Sequence, residues 1–459
     1  MTRLFLDDPA EYFEHESFAV HHLPRPEQEA LQLAALQRRF GEMRDRLPPL
    51  KALAETSGID AIGSIADAAP LLFPHSFYKA YPEILLQKHD FPGLTRWLSR
   101  LTLIDLSAVA DRHFPSIDAW FDAIEADTEC MMMHSSGTTG RLSLYPRGKD
   151  ETRIHRKYWK MLTPEWVEPL EFSYADMTFA VIWPSYASGR SAIFRMGELC
   201  RDVFTPSPDA FYPLIPHAFS ADWQYWLMRA DAARHSQRAP PTPSDYVAAK
   251  IAQAQEIERT HFDRTQALLD TVRDTLRDRR VLLTGGVHGV HRFAADGVAR
   301  GMTPGLAPGS AIRVVGGLKN VPAPDDMEAT MLRFGGVPQL IDSYGMSELG
   351  VGFSMCRNGR FHVPPWIAPY VFDVESSALL PRSGVQRGRA GFFDLPANTF
   401  WGGVISADLI ELDWNLCACG RTTPHIHKDV ERIPAHEGDH LIGPASAEAT
   451  NAAVAALWP

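Results

Sequence analysis

Apolar residues recur at helical spacing in several parts of the chain. Between residues 26 and 46, Leu31, Leu36 and other apolar side chains stand among polar and charged positions. This spacing predicts an amphipathic helix. Shorter patterns of the same kind extend to residues 120–124, and a longer one predicts a single helix over residues 246–279. Helices therefore occupy much of the predicted fold.

Short apolar runs that end in glycine or polar residues predict buried strands. These runs are residues 131–133, 179–183, 281–284, 312–315 and 339–345. The second run is expected to end in a loop over residues 184–189. Residues 205–243, rich in proline and aromatic side chains, support no simple prediction. Apolar strands alternating with helices favour an α/β fold with mostly parallel sheets, in which ligands bind beyond the carboxyl ends of the strands.

Composition narrows the class of protein. The 459 residues are 45% hydrophobic and 22% charged, with a formal net charge of -11. This balance is typical of a globular protein and does not favour binding to nucleic acid or to an anionic membrane. The acidic amino terminus is not expected to act as a secretory signal, and no apolar run reaches transmembrane length. Five cysteines, an odd number, argue against a disulfide framework and indicate a cytoplasmic protein.

The first chemical signal is the loop over residues 135–140, which follows the predicted strand 131–133. The loop combines four hydroxyl side chains with two glycines; its residues are Ser135, Ser136, Gly137, Thr138, Thr139 and Gly140. Backbone N–H groups and hydroxyls of such a loop suit the phosphates of a nucleotide, although an ordinary polar loop has the same composition. It is neither a Walker loop nor a nucleophile elbow. A helix carrying Arg153, Arg156 and Lys157 is expected next.

The order of these residues resembles the phosphate-binding loop of the adenylate-forming superfamily, which includes acyl-CoA ligases. Residues 342–348 similarly resemble that superfamily's Tyr-Gly-x-Thr/Ser-Glu motif. The resemblance implies that Tyr344 lies against adenine, that Ser347 reaches the phosphates and that Glu348 holds Mg²⁺. Gly345 is expected among the nucleotide-binding residues. From the residues alone, this segment could also be a strand end with a capping acid.

A third motif completes the family order. Asp408 stands where the superfamily has an aspartate that accepts hydrogen bonds from the ribose hydroxyls, although Ala407 replaces the usual glycine. The three motifs follow one another in the family's order. The resemblance implies a multi-layer α/β adenylation domain, with mostly parallel sheets and a β-rich portion near the carboxyl end. Such a domain binds ATP and Mg²⁺ and activates a carboxylic acid as acyl-adenylate.

Two further segments narrow the resemblance. Residues 315–319 and 361–366 are similar to the acyl-protein synthetase of bacterial bioluminescence, with Leu318 in place of tryptophan and Lys319 retained. Residues 417–422 are similar to the Cys-x-Cys-Gly-Arg-Thr of phenylacetate-CoA ligase relatives, and Arg421 within them is expected among the nucleotide-binding residues.

Cysteines and a histidine near the carboxyl end form a candidate metal site. Cys356, His362, Cys417 and Cys419 supply thiolates and an imidazole in the number that suits tetrahedral, structural Zn²⁺. Phenylacetate-CoA ligase relatives carry a similar set. The alternative is a few unpaired buried cysteines and a surface histidine.

The chain also departs from the family pattern. Arg141 follows the phosphate loop where the family has a Pro-Lys or Lys-Pro pair, and the hinge that precedes the mobile C-terminal domain is not recognisable. We expect an N-terminal helical part (1–125), an adenylation core (126–433) and a short tail (434–459) in place of that domain. Lys319 or Arg141 would then supply the cation that the domain's lysine provides during adenylation.

The sequence therefore predicts an ATP-dependent ligase that forms an acyl-adenylate from an aryl or fatty acid. Transfer of the acyl group to a protein or a partner enzyme is expected. The alternatives are an acyl-CoA or aryl-CoA ligase and a nucleotide-binding subunit without turnover.

Overall fold

The computed structural model describes residues 2–135, 141–162, 178–317, 322–433 and 443–458. The chain forms two compact units. Unit 1 comprises Met1–Met133, Ser143–Tyr158 and Ser347–Pro459, and unit 2 comprises His134–Leu142 and Trp159–Met346.

The described part of the chain contains both helices and strands throughout. The α-helices are α1 Thr2–Asp7, α2 Pro9–Tyr12, α3 Ser17–His21, α4 Arg25–Met43, α5 Pro48–Thr56, α6 Glu83–Gln87, α7 Phe91–Leu98, α8 Ile117–Asp127, α9 Lys149–Leu162, α10 Ala192–Phe204, α11 Ala221–His235, α12 Asp245–Arg259, α13 His261–Asp274, α14 Val287–Ala299, α15 Met327–Gly335 and α16 Ala447–Ala455. Short 3₁₀ helices are Ile65–Leu71, His75–Lys79, Ser107–Val109 and Pro208–Ala210.

The strands are β1 Phe73–Pro74, β2 Cys130–His134, β3 Leu144–Gly148, β4 Ala180–Gly189, β5 Phe211–Phe219, β6 Val281–Gly286, β7 Ala311–Val315, β8 Ser343–Tyr344, β9 Phe353–Ser354, β10 Arg360–His362, β11 Ile367–Phe372, β12 Val385–Asp394, β13 Gly403–Asp413, β14 His425–His427 and β15 Glu431–Arg432. Within the described residues, no helix is long and apolar enough to span a membrane.

Unit 2 is built on a parallel sheet with the strand order β5-β4-β6-β7. Its core contains Ile182, Leu283 and Ile312, all without solvent exposure, packed with apolar residues of α13, α14 and α15. Ile341 extends the ladder, since its N–H donates to Ile312 O (2.9 Å) and its carbonyl accepts from Val314 N (2.8 Å). The predicted parallel α/β sheet is therefore confirmed.

Two sequence predictions in unit 2 are wrong in detail. The strand predicted to stop at residue 183 continues through Pro184 to Gly189, because its pairing with β5 is irregular between Trp183 and Tyr186. A residue without an N–H is tolerated at such an irregularity.

The single helix predicted over residues 246–279 is two helices, α12 and α13, separated at Thr260. The Thr260 hydroxyl donates to the Glu256 carbonyl at 2.7 Å. Side-chain bonds of this kind compete with the regular backbone ladder of a helix, which helps to explain the break.

Unit 1 contains the β-rich portion predicted near the carboxyl end. Its sheet has the order β10-β14-β13-β12-β11, and successive strands pair in antiparallel fashion. Helix α4 packs on the connections of this sheet through two buried polar side chains. Gln32 donates to the carbonyls of Pro365 (2.9 Å) and Ile367 (3.1 Å), and Arg39 donates to Leu395 O (2.9 Å). These hydrogen bonds replace the ones that both polar groups would otherwise make with water.

Candidate functional site

Glu348, the expected Mg²⁺ ligand, lies beside strand β3 in unit 1. The Tyr145 hydroxyl donates a hydrogen bond to Glu348 Oε1 at 2.9 Å. Tyr145 is buried, whereas Glu348 stays partly exposed. Burial raises the pKa of Glu348, and the hydrogen bond from Tyr145 partly offsets this effect by lowering the pKa. The phenol therefore favours the ionised carboxylate that a cation would bind.

Two buried charged side chains hold the main chain on either side of Glu348. Arg147 Nη2 donates to the Ser347 carbonyl at 2.9 Å, and Asp394 Oδ2 accepts the Gly350 N–H at 2.7 Å. Arg147 is 3% exposed and Asp394 is fully buried. With Tyr145 on the side chain, the segment carrying Glu348 is thus fixed at three points.

Arg147 and Asp394 belong to a buried ionisable cluster that also contains Glu151 and His155 of α9. Arg147 Nη1 donates to Glu151 Oε1 at 2.7 Å. One ligand atom each from Glu151, His155 and Asp394 lies within 4.8 Å of the others. Burial raises the pKa of Asp394 to about 7, although Arg147 acts to lower it. Burial likewise raises the pKa of Glu151 and holds the pKa of His155 well below its usual range.

Gly350 is required by its contact with this cluster. A Cβ added there would lie 2.2 Å from Cε1 and Nε2 of the His155 ring. Since the ring is buried, it has little space in which to move away. The close approach of backbone to imidazole gives a physical reason for a glycine two residues after Glu348.

Asp408, the expected ribose ligand, lies on β13 and is partly exposed. Its N–H donates to Ser406 Oγ at 3.0 Å, and it stands opposite Arg432 of β15. The negative charge of Asp408 contributes to raising the pKa of Glu348, while Arg432 lowers it. The two acids, 60 positions apart in sequence by their numbering (408 minus 348), therefore influence each other electrostatically within unit 1.

In unit 2, Tyr344 of β8 is 8% exposed and Gly345 after it is exposed. The strand is held by Arg313 of β7, whose Nε donates to Ser343 Oγ at 3.1 Å. The Arg313 guanidinium is almost fully buried and lies 4.5 Å from the centre of the Trp159 ring. Burial lowers the pKa of Arg313 to about 10, so it remains a cation at neutral pH.

The expected phosphate loop is described only at its edges. Ser135 follows β2, and its carbonyl lies 2.9 Å from His134 Nδ1. Arg141 is partly exposed. The other loop residues, 136–140, lie outside the described residues, and so does Lys319. Their expected roles remain predictions.

The structure brings together all four residues of the candidate zinc site. One ligand atom from each of Cys356, His362, Cys417 and Cys419 lies within 4.8 Å of the others. The cysteines sit in two tight turns. Cys356 N donates to Arg360 O (2.8 Å), and Cys417 N donates to Arg421 O (3.2 Å). A set of three sulfurs and one imidazole nitrogen fits the tetrahedral preference of Zn²⁺.

His362 is oriented toward the thiols. Its Nε2 lies 3.3 Å from Cys419 Sγ, and its Nδ1 lies 3.1 Å from Thr423 Oγ1, which also contacts His21. Burial lowers the pKa of His362 and raises the pKa of the Cys419 thiol to about 12. A bound cation would favour the thiolate instead. Arg421, expected at the nucleotide, acts on this cluster, since its charge also lowers the pKa of His362.

Sequence reasoning did not identify the residues that support the site. Arg313 carried a signal, because a charged residue in the apolar run 312–315 must be paired or solvated by its neighbours. Tyr145 and Asp394 carried none, since their partners Glu348 and Gly350 are distant in sequence. The bond of Arg147 to the distant Ser347 carbonyl left no signal either.

Comparison with known proteins gives a likeness of fold. No family model and no curated protein matches the chain. Among solved structures, an open conformation of 2-hydroxyisobutyryl-CoA ligase in complex with 2-HIB-AMP and CoA matches with a TM-score of 0.52 and 12% identity, covering 91% of this chain and 78% of that one. The same ligase in the postadenylation state with R3-HIB-AMP gives a TM-score of 0.53 and 13% identity, covering 90% and 69%. The chain therefore shares the fold of these ligase structures, and the predicted α/β fold class is confirmed.

Proposed function

We propose that the protein is an ATP-dependent ligase that activates a carboxylic acid as its acyl-adenylate. The observation that carries the proposal is the three-point support of Glu348 by Tyr145, Arg147 and Asp394. A carboxylate held this firmly, in a Tyr-Gly-x-Ser-Glu segment, is suited to a metal that must be positioned beside phosphates. The fold adds support, since the similar 2-hydroxyisobutyryl-CoA ligase was crystallised with 2-HIB-AMP.

In the proposed reaction, a carboxylate oxygen of the acid attacks the α-phosphorus of ATP. The bond from that phosphorus to the bridging oxygen breaks, and pyrophosphate leaves. Tyr344 would pack on the adenine and Asp408 would accept hydrogen bonds from the ribose hydroxyls. Ser347 and residues 135–140 would donate to phosphate oxygens. Mg²⁺ held through Glu348 would offset the charge that builds up on the phosphates.

A fixed cation near the α-phosphate would complete the site. We assign this role to Lys319 or Arg141, following the sequence resemblance. The cysteine and histidine cluster is proposed to hold a structural zinc ion, because its donor set is closed and largely buried.

For the acyl acceptor, we propose a protein or partner enzyme, as in the acyl-protein synthetases that residues 315–319 resemble. A CoA ligase is the second candidate, favoured by the fold, since the similar ligase was also crystallised with CoA. Incubation with ATP, a turned-over acid and CoA, without any partner, separates the two. Efficient formation of acyl-CoA by the isolated chain would contradict a protein acceptor.

The activity itself is tested by pyrophosphate release across a panel of aryl, fatty and small hydroxy acids. We expect release with at least one acid and a loss of orders of magnitude in Glu348→Gln, with the fold intact by circular dichroism. Glu375→Gln, at an exposed turn, is the matched control and should keep full activity. ATP binding without pyrophosphate release from any acid would favour a non-catalytic nucleotide-binding subunit.

A further inference from the structure

A second group of metal-ligating side chains lies on strands β13 and β14 and has no part in the proposed reaction. Asp413 of β13 stands directly opposite His425 of β14 in the antiparallel ladder. Because side chains of a strand alternate between faces, Glu411 and His427 lie on the same face as this pair. The contact between His427 Nδ1 and Glu411 Oε1 agrees with this arrangement.

Three atoms of this group converge. Asp413 Oδ2 lies 3.6 Å from His425 Nε2 and 3.9 Å from His427 Nε2. One ligand atom from each of the three residues lies within 4.8 Å of the other two. These separations are close to those between ligands of one ion at metal–nitrogen and metal–oxygen distances of about 2 Å. Small side-chain movements would suffice to bind an ion.

Contacts to the other polar atoms of Asp413 and His427 orient these converging atoms. Asp413 Oδ1 accepts from the backbone N–H and the side-chain amide of Asn415, at 2.8 and 2.9 Å, which leaves Oδ2 directed at the imidazoles. Glu411 contacts His427 Nδ1, so that Nε2 is the nitrogen left to act as a ligand. His427 Nε2 is buried and has no hydrogen-bond partner among the described residues. Carboxylates behind metal-binding histidines are common, because they fix the tautomer and the ring orientation.

We propose that Asp413, His425 and His427 form a site for a divalent transition-metal ion, with Zn²⁺ the expected occupant. Two imidazoles and one carboxylate leave coordination positions for water, so the site would be open, unlike the closed cysteine cluster. The three ligand side chains also differ in their exposure to solvent. The His425 side chain is 3% exposed, whereas those of Asp413 and His427 are 18% and 22% exposed and give solvent a route to the ion.

The site is distinct from the cysteine cluster, although the two are near each other. The His425 and His362 rings are 5.2 Å apart between centroids, but they offer their nitrogens to different ligand sets. Arg360 stands opposite His427 on β10, and its charge opposes cation binding. The carboxylates of Glu411 and Asp413 outweigh that single charge.

The test is the zinc content of the full chain after dialysis against buffered micromolar ZnCl₂, measured by mass spectrometry of the metal. If the cysteine cluster also binds zinc, we expect about two ions per chain, one of them lost in Asp413→Asn and in His427→Gln. Cys419→Ser should lose the other ion and retain this one, so failure of the cysteine site leaves the proposal testable. A zinc content unchanged in both Asp413→Asn and His427→Gln would overturn it.

Milder variants guard against loss of folding. Glu411→Gln should weaken zinc affinity roughly 10- to 100-fold, because it removes the carboxylate behind His427. Arg360→Gln should tighten binding, because it removes the opposing charge. Added Co²⁺ distinguishes the sites, since thiolate ligands produce an intense charge-transfer band that a His₂Asp site lacks. Equal affinity in wild type, Glu411→Gln and Arg360→Gln would contradict the site.

Discussion

The phenol of Tyr145 donates a hydrogen bond to Glu348 although 203 positions separate the two residues. Tyr145 comes from strand β3 and Glu348 from the segment after the Tyr-Gly motif. The fold of unit 1 therefore brings strand β3 against the expected Mg²⁺ ligand. This contact makes the chemistry of Glu348 depend on a residue that no sequence motif identifies.

Tyr145→Phe removes that hydrogen bond while keeping the ring. We expect a loss of roughly tenfold in pyrophosphate release, equivalent to about 1.4 kcal/mol, the upper part of the range for one hydrogen bond. Because the phenol lowers the pKa of Glu348, its removal should also move the acid limb of the activity profile to higher pH. Tyr370→Phe is the matched control, since that buried hydroxyl donates to Ile65 O instead. A profile unmoved relative to this control would remove Tyr145 from the account.

Asp394→Asn tests the buried cluster through the pH dependence of stability. The raised pKa of Asp394, about 7, means that the folded chain binds more protons than the unfolded chain, whose aspartates have an ordinary pKa near 4. This group therefore stabilises the protein at low pH, and the contribution is lost as pH rises toward 7, by up to about 1.4 kcal/mol per pH unit. The melting temperature of the variant, measured relative to that of the wild type, should therefore increase from about pH 5 to about pH 7. If the melting temperatures of the two proteins changed in parallel with pH, the raised pKa of Asp394 would be contradicted.

Gly350→Ala tests the packing beneath Glu348. The added methyl group meets the His155 ring, so we expect a loss of about 1–3 kcal/mol in the free energy of unfolding, together with reduced activity. In a His155→Ala background, where the ring is absent, Gly350→Ala should cost less stability than it does in the wild-type chain. Gly41→Ala, at a helix position with open space around it, is the control and should be neutral or stabilising. Additive effects of the Gly350 and His155 substitutions would show that the two sites are independent.

Cys419→Ser tests the cysteine cluster. We expect the loss of about one zinc ion per chain and a lower melting temperature, because a structural site contributes directly to folding. Cys200→Ser, at a buried cysteine of unit 2, should leave the zinc content unchanged. Freshly purified wild-type protein without zinc, or equal zinc in both variants, would count against a thiolate site.

Much of the fold could be predicted from the sequence, because the signals were local. The pattern over residues 26–46 became α4, and the apolar runs near residues 131, 281 and 312 became strands. The last two of these strands lie in the predicted parallel sheet. The break at Thr260 was missed, because apolar spacing continues across it and the competing bond of its hydroxyl leaves no periodic signal. Pro184 marked the end of a strand by the usual rule, but the tertiary pairing with β5 accommodated it.

In the candidate site, too, some residues could be predicted from the sequence and others could not. Glu348, Asp408 and the four zinc-binding candidates could be named, because motifs place characteristic residues at fixed spacing. The residues that set their geometry could not. Arg147 and Asp394 act through a carbonyl and an N–H of the main chain, and any backbone offers such partners. Only the fold determines which backbone groups they meet.

The measurement that tests the central claim most directly is the fate of oxygen from the acid. An acid that supports pyrophosphate release is labelled with ¹⁸O in its carboxylate and incubated with ATP and the protein, and the nucleotide product is analysed by mass spectrometry. Attack of the carboxylate on the α-phosphorus predicts AMP that carries one ¹⁸O after the acyl group has left. AMP without the label, or ADP and phosphate as the products, would contradict the formation of an acyl-adenylate.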